Sequence, residues 1–129
     1  MTKHYSAGFS LIELMIGIVI IGTLASIATS YYGQYVISAK CSEGRSALLE
    51  RSASLEKCKA IYGAYNNNCN IDTGTTSGGN FSIGLVRDAT TFTLTATGTG
   101  QMVSAENTIC TTITLNHLSV QGGSGTEPW

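Results

Sequence analysis

The chain has 129 residues and 13.5 kDa, with 43% hydrophobic and 12% charged residues, four cysteines, fifteen glycines, one proline and a formal net charge of -1. That length holds one domain and excludes a multidomain enzyme. The near-neutral balance argues against a protein held to nucleic acid mainly by neutralising phosphates, which needs a basic surface.

The charges are unevenly placed. Lys3 stands near the start, Glu13 is alone between Phe9 and Ala39, eight charged residues crowd positions 40–59, and five remain for the last seventy residues. Three materials follow one another: an apolar segment, a charged helix and a Gly/Thr-rich β region.

Residues 1–8 carry Lys3 and His4 and end on Ala7 and Gly8, and an apolar run then covers 9–28. Twenty helical residues rise about 30 Å, the thickness of a bilayer's hydrocarbon core, so the run can span a membrane. A short basic leader before it is a membrane-targeting arrangement, with the leader in the cytoplasm and the remainder outside. A secretory signal places its small-residue cleavage site after the apolar stretch; here Gly8 precedes it. Glu13 is the anomaly inside the span. A carboxylate at that depth costs on the order of 3 kcal/mol, so it is neutralised, paired or functional. It follows Phe9 by one helical turn, within reach of a free α-amine on Phe9 if the chain is cut after Gly8. A protonated glutamate in a single-pass anchor is the alternative.

Over 37–62 there is no proline, and good helix formers dominate. Ile37, Cys41, Gly44, Leu48, Leu55 and Tyr62 form one stripe with Cys58 at its edge, the face expected to meet a sheet. Glu43, Glu50, Glu56, Lys57 and Lys59 lie mainly off the stripe and read as a solvated face.

Residues 63–80 form a polar connection dense in turn residues. Strand-like runs follow at 81–86, 91–97, 108–115 and 118–121, and the alternation of Phe92, Leu94 and Ala96 with threonines is that of a half-buried antiparallel strand. Residues 97–100 and Asn116-His117 are turn candidates. Gly78-Gly79 and 122–125 read as flexible loop and tail. Trp129 is left either as a contact residue or tucked against the sheet.

An even cysteine count in a small exported domain favours two disulfides. With no C-x-x-C and only His117 after the leader, a zinc site is not supported. Cys41 and Cys58 on one helix would stand about 25 Å apart, which removes that pairing. Cys58–Cys69 closes the Asn-rich loop onto the helix end and leaves Cys41–Cys110. Strict alternation from Ile109, Ile113 and Leu115 would point Cys110 away from the helix, so this pairing requires a bulge or strand shift, and Cys41–Cys69 with Cys58–Cys110 stays open. No catalytic constellation emerges: His117 beside Ser119 does not make a nucleophile–base pair. Asn80-Phe81-Ser82 fits a glycosylation sequon by form alone.

Gly8-Phe9-Ser10-Leu11-Ile12-Glu13-Leu14-Met15 resembles the class III signal of type IV pilins and of type II secretion pseudopilins. The stretch 92–98, continuing to 110–116, resembles the β part of minor pilins related to PilE, without the aspartate often seen before the cysteine; Glu106 is the nearest acid. The resemblance implies an α+β type IV pilin fold, a long helix on a three- or four-stranded antiparallel meander, with a leader at 1–8, a transmembrane or filament-core helix at 9–37 and a head at 38–129. It implies cleavage between Gly8 and Phe9, N-methylation of Phe9, and pairing of Glu13 with the Phe9 amine of an adjacent subunit. Where major pilins often carry a kinking proline, Ala28-Thr29-Ser30 stands here, so any loosening rests on Gly22 and Gly33.

The implied partners are other pilin subunits, prepilin peptidase, the inner-membrane assembly platform and, before assembly, membrane lipid; no cofactor is implied. The implied function is a structural subunit of a type IV pilus, minor rather than major, supporting assembly, adhesion and twitching motility, in the bacterial inner membrane first and the extracellular pilus afterwards. A pilus-displayed DNA receptor or adhesin is the alternative. Against nucleic acid stand six basic and eight acidic residues once the leader is removed, with Arg87 the only Lys or Arg after Lys59. A pseudopilin is the third reading; for its calcium loop only Asp72, Asp88 and Glu106 could serve.

Overall fold

Helix α1, Leu11–Tyr62, begins in a computed structural model that describes residues 8–65, 69–103 and 109–129. Residues 1–7 of the expected leader, Glu106 and the Thr108 start of the third expected strand lie outside the described residues. The helix opens with the carboxylate half of a capping box: Glu13 reaches back to Ser10 N–H at 3.0 Å, while the Ser10 carbonyl accepts from Glu13 N–H. It closes where Gly63 N–H bonds to Lys59 O. The contacts divide the chain into two units, Met1–Tyr35 and Val36–Trp129.

In the first unit Leu11, Ile12, Leu14, Ile18, Val19 and Ile21 are all exposed. Thr23, Ser26 and Thr29 each donate their hydroxyl to a carbonyl about one turn back, so even the polar side chains of this stretch are satisfied within the helix. By length and composition the helix can cross a membrane.

The second unit contains a four-stranded antiparallel sheet in the order β1-β2-β3-β4: β1 Phe81–Arg87, β2 Phe92–Gly98, β3 Thr112–Asn116 and β4 Gln121–Ser124. Ile83 faces Ala96 and Leu85 faces Leu94, while Leu94 and Ala96 in turn face Leu115 and Ile113. The period-2 pattern thus sends Phe81, Ile83, Phe92, Leu94, Ile113 and Leu115 to one buried face, where they join Cys41, Leu48 and Leu55 of α1. Gly44 lies in this contact: a Cβ there would stand 3.0 Å from both Phe81 and Ile113, so the missing side chain lets the helix approach the sheet.

This is the expected α+β architecture, with four corrections. Tyr62 is exposed; Tyr65 takes the buried aromatic position instead, edge-on to Phe92 at 4.9 Å between ring centres. Residues 97–100 do not make a tight hairpin, because a 3-10 turn, Gly100–Val103, follows β2 and places Met102 in the core. The fourth strand falls on the glycines expected to form a flexible tail. Its Gly123 adopts φ 147, and a Cβ there would collide with Thr112 O, so glycine is what allows the pairing with Ile113. The third strand starts at Thr112, so Cys110 precedes it and escapes the alternation that would turn it from the helix.

Candidate functional site

Gly8 and Phe9 precede the helix, and Phe9 is 89% exposed. Glu13 lies one turn into α1, its carboxylate engaged by Ser10 N–H. The structure therefore sets Phe9 and Ser10 just ahead of the helix and turns the Glu13 carboxylate of its first turn back onto Ser10 N–H.

In the head, both disulfides fasten other segments to α1. Cys41 is bonded to Cys110, Cα–Cα 6.1 Å, and Cys58 to Cys69, Cα–Cα 5.9 Å. The connection from α1 to β1 is held at several further points. Arg51 Nε donates to Asp72 O at 2.6 Å and its NH2 approaches the Asp72 carboxylate at 3.4 Å. Arg87 donates to Cys69 O at 2.9 Å. Glu43 accepts from Gly78 N at 2.8 Å and from Asn80 Nδ2 at 2.6 Å. Burial would raise the Glu43 carboxyl, but bonds from Thr76, Asn80 and Gly78 and the charge of Lys40 outweigh it and hold the pKa below its ordinary value. Glu43, expected on a solvated face, is thus a clasp, and the sequon amide of Asn80 is occupied by it. Arg45 performs the same service for the C-terminal tail, donating to Pro128 O and Glu127 O. Trp129 tucks against the sheet, its indole N–H shared between Thr114 O and Gly122 O. Sequence periodicity carried no signal for the clasps made by Glu43, Arg45, Arg51 and Arg87, because each joins residues at least eighteen positions apart.

Between α1 and the loop runs a polar groove of about 440 Å³ lined by Glu50, Arg51, Ser54, Asn70 and Asp72 among others. A shallower hollow of about 210 Å³ lies over the Cys58–Cys69 bridge, bordered by Lys57, Ile61, Tyr62 and Asn70. Beyond it Tyr65 is buried, donates its hydroxyl to Glu56 at 2.6 Å and carries Lys59 over its ring at 4.5 Å. Burial, then the hydrogen bond and charge of Glu56, push the Tyr65 phenol up to about 12. Lys57 and Arg87 both flank Cys69, and Phe92, on which Tyr65 rests, is the register partner of Arg87. Lys57, Lys59 and Arg87 therefore lie toward the end of the head where α1 finishes, with Lys57 and Lys59 on different faces of the helix.

Asp88 is also at this end, but its carboxylate is turned onto its own turn. It accepts from the backbone of Thr90 and Thr91 and from both hydroxyls, and these bonds lower its pKa to about 2. Asp72 caps Gly74 N. Among the described residues no group of three His, Cys, Asp or Glu side chains is placed to hold a metal. His117 begins the β3–β4 turn, donates its N–H to Phe92 O, and has a buried Nδ1 without a partner among the described residues; no nucleophile is paired with it.

Two family matches bear on this arrangement. Residues 3–29 match the prokaryotic N-terminal methylation motif. Residues 30–114 match the family described as type IV minor pilin ComP, DNA uptake sequence receptor. That match spans the later part of α1, the clasped loop, strands β1 and β2 and the start of β3. With a prepilin methylation motif ahead of a long helix on a four-stranded meander, the chain belongs to the type IV minor pilins of the ComP family.

Proposed function

We propose that this minor pilin is a DNA-uptake receptor, displayed on a type IV pilus, whose head holds duplex DNA at the end carrying Lys57, Lys59 and Arg87. The match over residues 30–114, to a family described by that role, carries this reading. Charge placement supports it. The acids of the head have local donors: Glu43 is bound by loop groups, Glu56 by Tyr65, Asp72 lies beside Arg51 and Asp88 accepts within its own turn, although Glu56, Asp72 and Asp88 stay exposed. The observed acceptor of Arg87 is a neutral carbonyl and not a carboxylate.

The N-terminal unit supplies the delivery of that head. Prepilin peptidase cuts between Gly8 and Phe9 and methylates Phe9, and the apolar segment holds the subunit in the inner membrane until the assembly platform inserts it into a filament of other pilins. There the Phe9 amine leaves the capping region of its own helix and neutralises Glu13 of a neighbour, since a buried carboxylate needs a cation beside it. Adhesion and twitching motility belong to the filament that the subunit joins.

The DNA reading is tested with full-length protein in detergent and a labelled duplex across a salt series. Binding at physiological salt is expected, with the slope of log K against log salt falling by about 1 for each of Lys57→Ala, Lys59→Ala and Arg87→Ala. Absence of binding, or slopes unaffected by all three, refutes it. For the N-terminus, mass spectrometry is expected to find methylated Phe9 as the first residue, and Glu13→Ala to be processed normally but depleted from sheared filaments.

A further inference from the structure

The turn between β3 and β4 is unusually well braced for a surface connection. Asn116 Oδ1 accepts from Leu118 N at 3.0 Å and Val120 N at 2.9 Å, Ser119 N–H bonds to Asn116 O, and Asn116 N–H bonds to Val120 O. Ser119 sits at φ 58, the left-handed region that non-glycine residues seldom adopt, held there by those four bonds. What the braced tip presents is apolar: Leu118 is 68% and Val120 57% exposed. Solvated turns favour Gly, Asn, Asp and Ser, so two large aliphatic side chains here call for a partner.

The tip's surroundings indicate which partner. His117 donates to Phe92 O at 3.1 Å and its ring faces Phe92; Phe92 stands opposite Arg87 and supports Tyr65, over which Lys59 lies. Through this succession of contacts the apolar tip shares one end of the head with Lys59 and Arg87. The combination of an aliphatic wedge on a rigid support and flanking cations suits a polyanion with a stacked apolar interior. The tip also lies beyond residues 30–114, so the family match does not assign it.

We propose that Leu118 is a wedge that enters between two base pairs of duplex DNA, with Val120 against the adjoining sugars and Lys59 and Arg87 on the flanking phosphates. This rests on the reading of the head as a DNA receptor and adds a mode of binding to it. Insertion of an aliphatic side chain partly unstacks one step and kinks the duplex, and the kink brings more backbone onto the protein. Because the turn is already ordered, little conformational freedom is lost when the wedge enters.

The test titrates full-length protein in detergent micelles into duplexes of about 30 base pairs, short enough to be stiff without a kink. They carry a donor–acceptor dye pair on their ends and 2-aminopurine at several positions. Wild-type protein is expected to raise energy transfer and brighten 2-aminopurine. Leu118→Ala is expected to lose both signals and bind about tenfold more weakly, with the salt slope unchanged. Leu118→Phe, which substitutes another wedge residue, is expected to restore them. Leu118 is exposed, so neither change enters the core, and thermal unfolding checks this. Binding to straight, stacked DNA, or equal bending by Leu118→Ala, overturns the wedge and leaves the receptor reading standing. Failure of wild-type protein to bind any duplex overturns both. If Leu118→Ala bends DNA normally but disappears from sheared filaments, the tip is a contact between pilins and the wedge is likewise overturned.

Discussion

Removing the Glu43 carboxylate is expected to loosen the second half of the α1–β1 loop without unfolding the sheet. The side chain makes two short bonds, to Gly78 N at 2.8 Å and Asn80 Nδ2 at 2.6 Å. Hydrogen bonds to a charged acceptor contribute about 1.5–3 kcal/mol each. The site is only partly buried and Cys58–Cys69 still holds the loop's first half, so Glu43→Ala is expected to cost about 2–3 kcal/mol rather than the full sum. Glu43→Gln is a sharper test. Asn80 can rotate to offer its carbonyl oxygen to the new amide, while Gly78 keeps an oxygen acceptor, so the cost falls to about 1 kcal/mol. Urea unfolding of residues 36–129, followed by the fluorescence of Trp129, the one tryptophan, measures both.

The pH dependence of Glu43 has a definite sign. The folded pKa lies below the ordinary 4.5. Its contribution is therefore complete above that value and lost as pH falls through the folded one. The gap between wild type and Glu43→Gln should be constant near neutrality and shrink once pH drops below about 4.5. Equal destabilisation by Ala and Gln, a loss under about 0.5 kcal/mol for Ala, or a gap that widens in acid, would refute the clasp.

At Gly44, Ala is expected to be nearly neutral, because gained helix propensity of about 1 kcal/mol offsets a contact that Phe81 and Ile113 can relieve by small shifts, whereas Leu should cost about 3 kcal/mol by overpacking. A smaller loss for Leu than for Ala in thermal unfolding would contradict the close approach of helix and sheet. The disulfides close separations of 69 and 11 residues, so replacing Cys41 and Cys110 by Ala is expected to cost about 4 kcal/mol and replacing Cys58 and Cys69 about 3 kcal/mol. The reverse order of urea midpoints would argue against these bonds. In an alkaline titration, the Tyr65 phenol should ionise only near pH 12, and Glu56→Gln should lower that step. An unchanged titration would place Tyr65 outside the Glu56 contact.

Much of the fold was legible in local pattern. The apolar run, the stripe of Cys41, Leu48 and Leu55, and the alternation in β2 each obey one period, and each lies where that period put it. The exceptions have separate physical causes. Tyr62 satisfied the helical spacing, but burial depends on how far the sheet extends over the helix, which spacing does not encode; Tyr65, outside the helix, took the place. Gln121–Ser124 lacked any strand-forming side chain, and its strand arises because glycine permits a close backbone approach beneath Trp129 and Pro128. Glu43 read as a solvated charge, and nothing marked the roles of Arg45, Arg51 and Arg87, because their partners are mostly backbone groups of distant segments, invisible to any pattern of side chains.

The same limitation governs electrostatics. A net charge sums over the chain, but a ligand feels the residues within about a Debye length, about 8 Å at physiological salt. In this head the arginines of α1 are fixed to the tail and to Asp72, in the region of Glu43 and Glu50, while Lys57 and Lys59 stand near the far end of α1 and Arg87 is bonded to Cys69 O. Two heads of identical composition would differ in phosphate affinity if one had its loop fastened to α1 at a different cysteine. The disulfide between Cys58 and Cys69 thus also fixes, at the end of α1, the carbonyl to which Arg87 bonds. Opening it should weaken DNA binding and flatten its salt dependence together, even where the sheet remains folded.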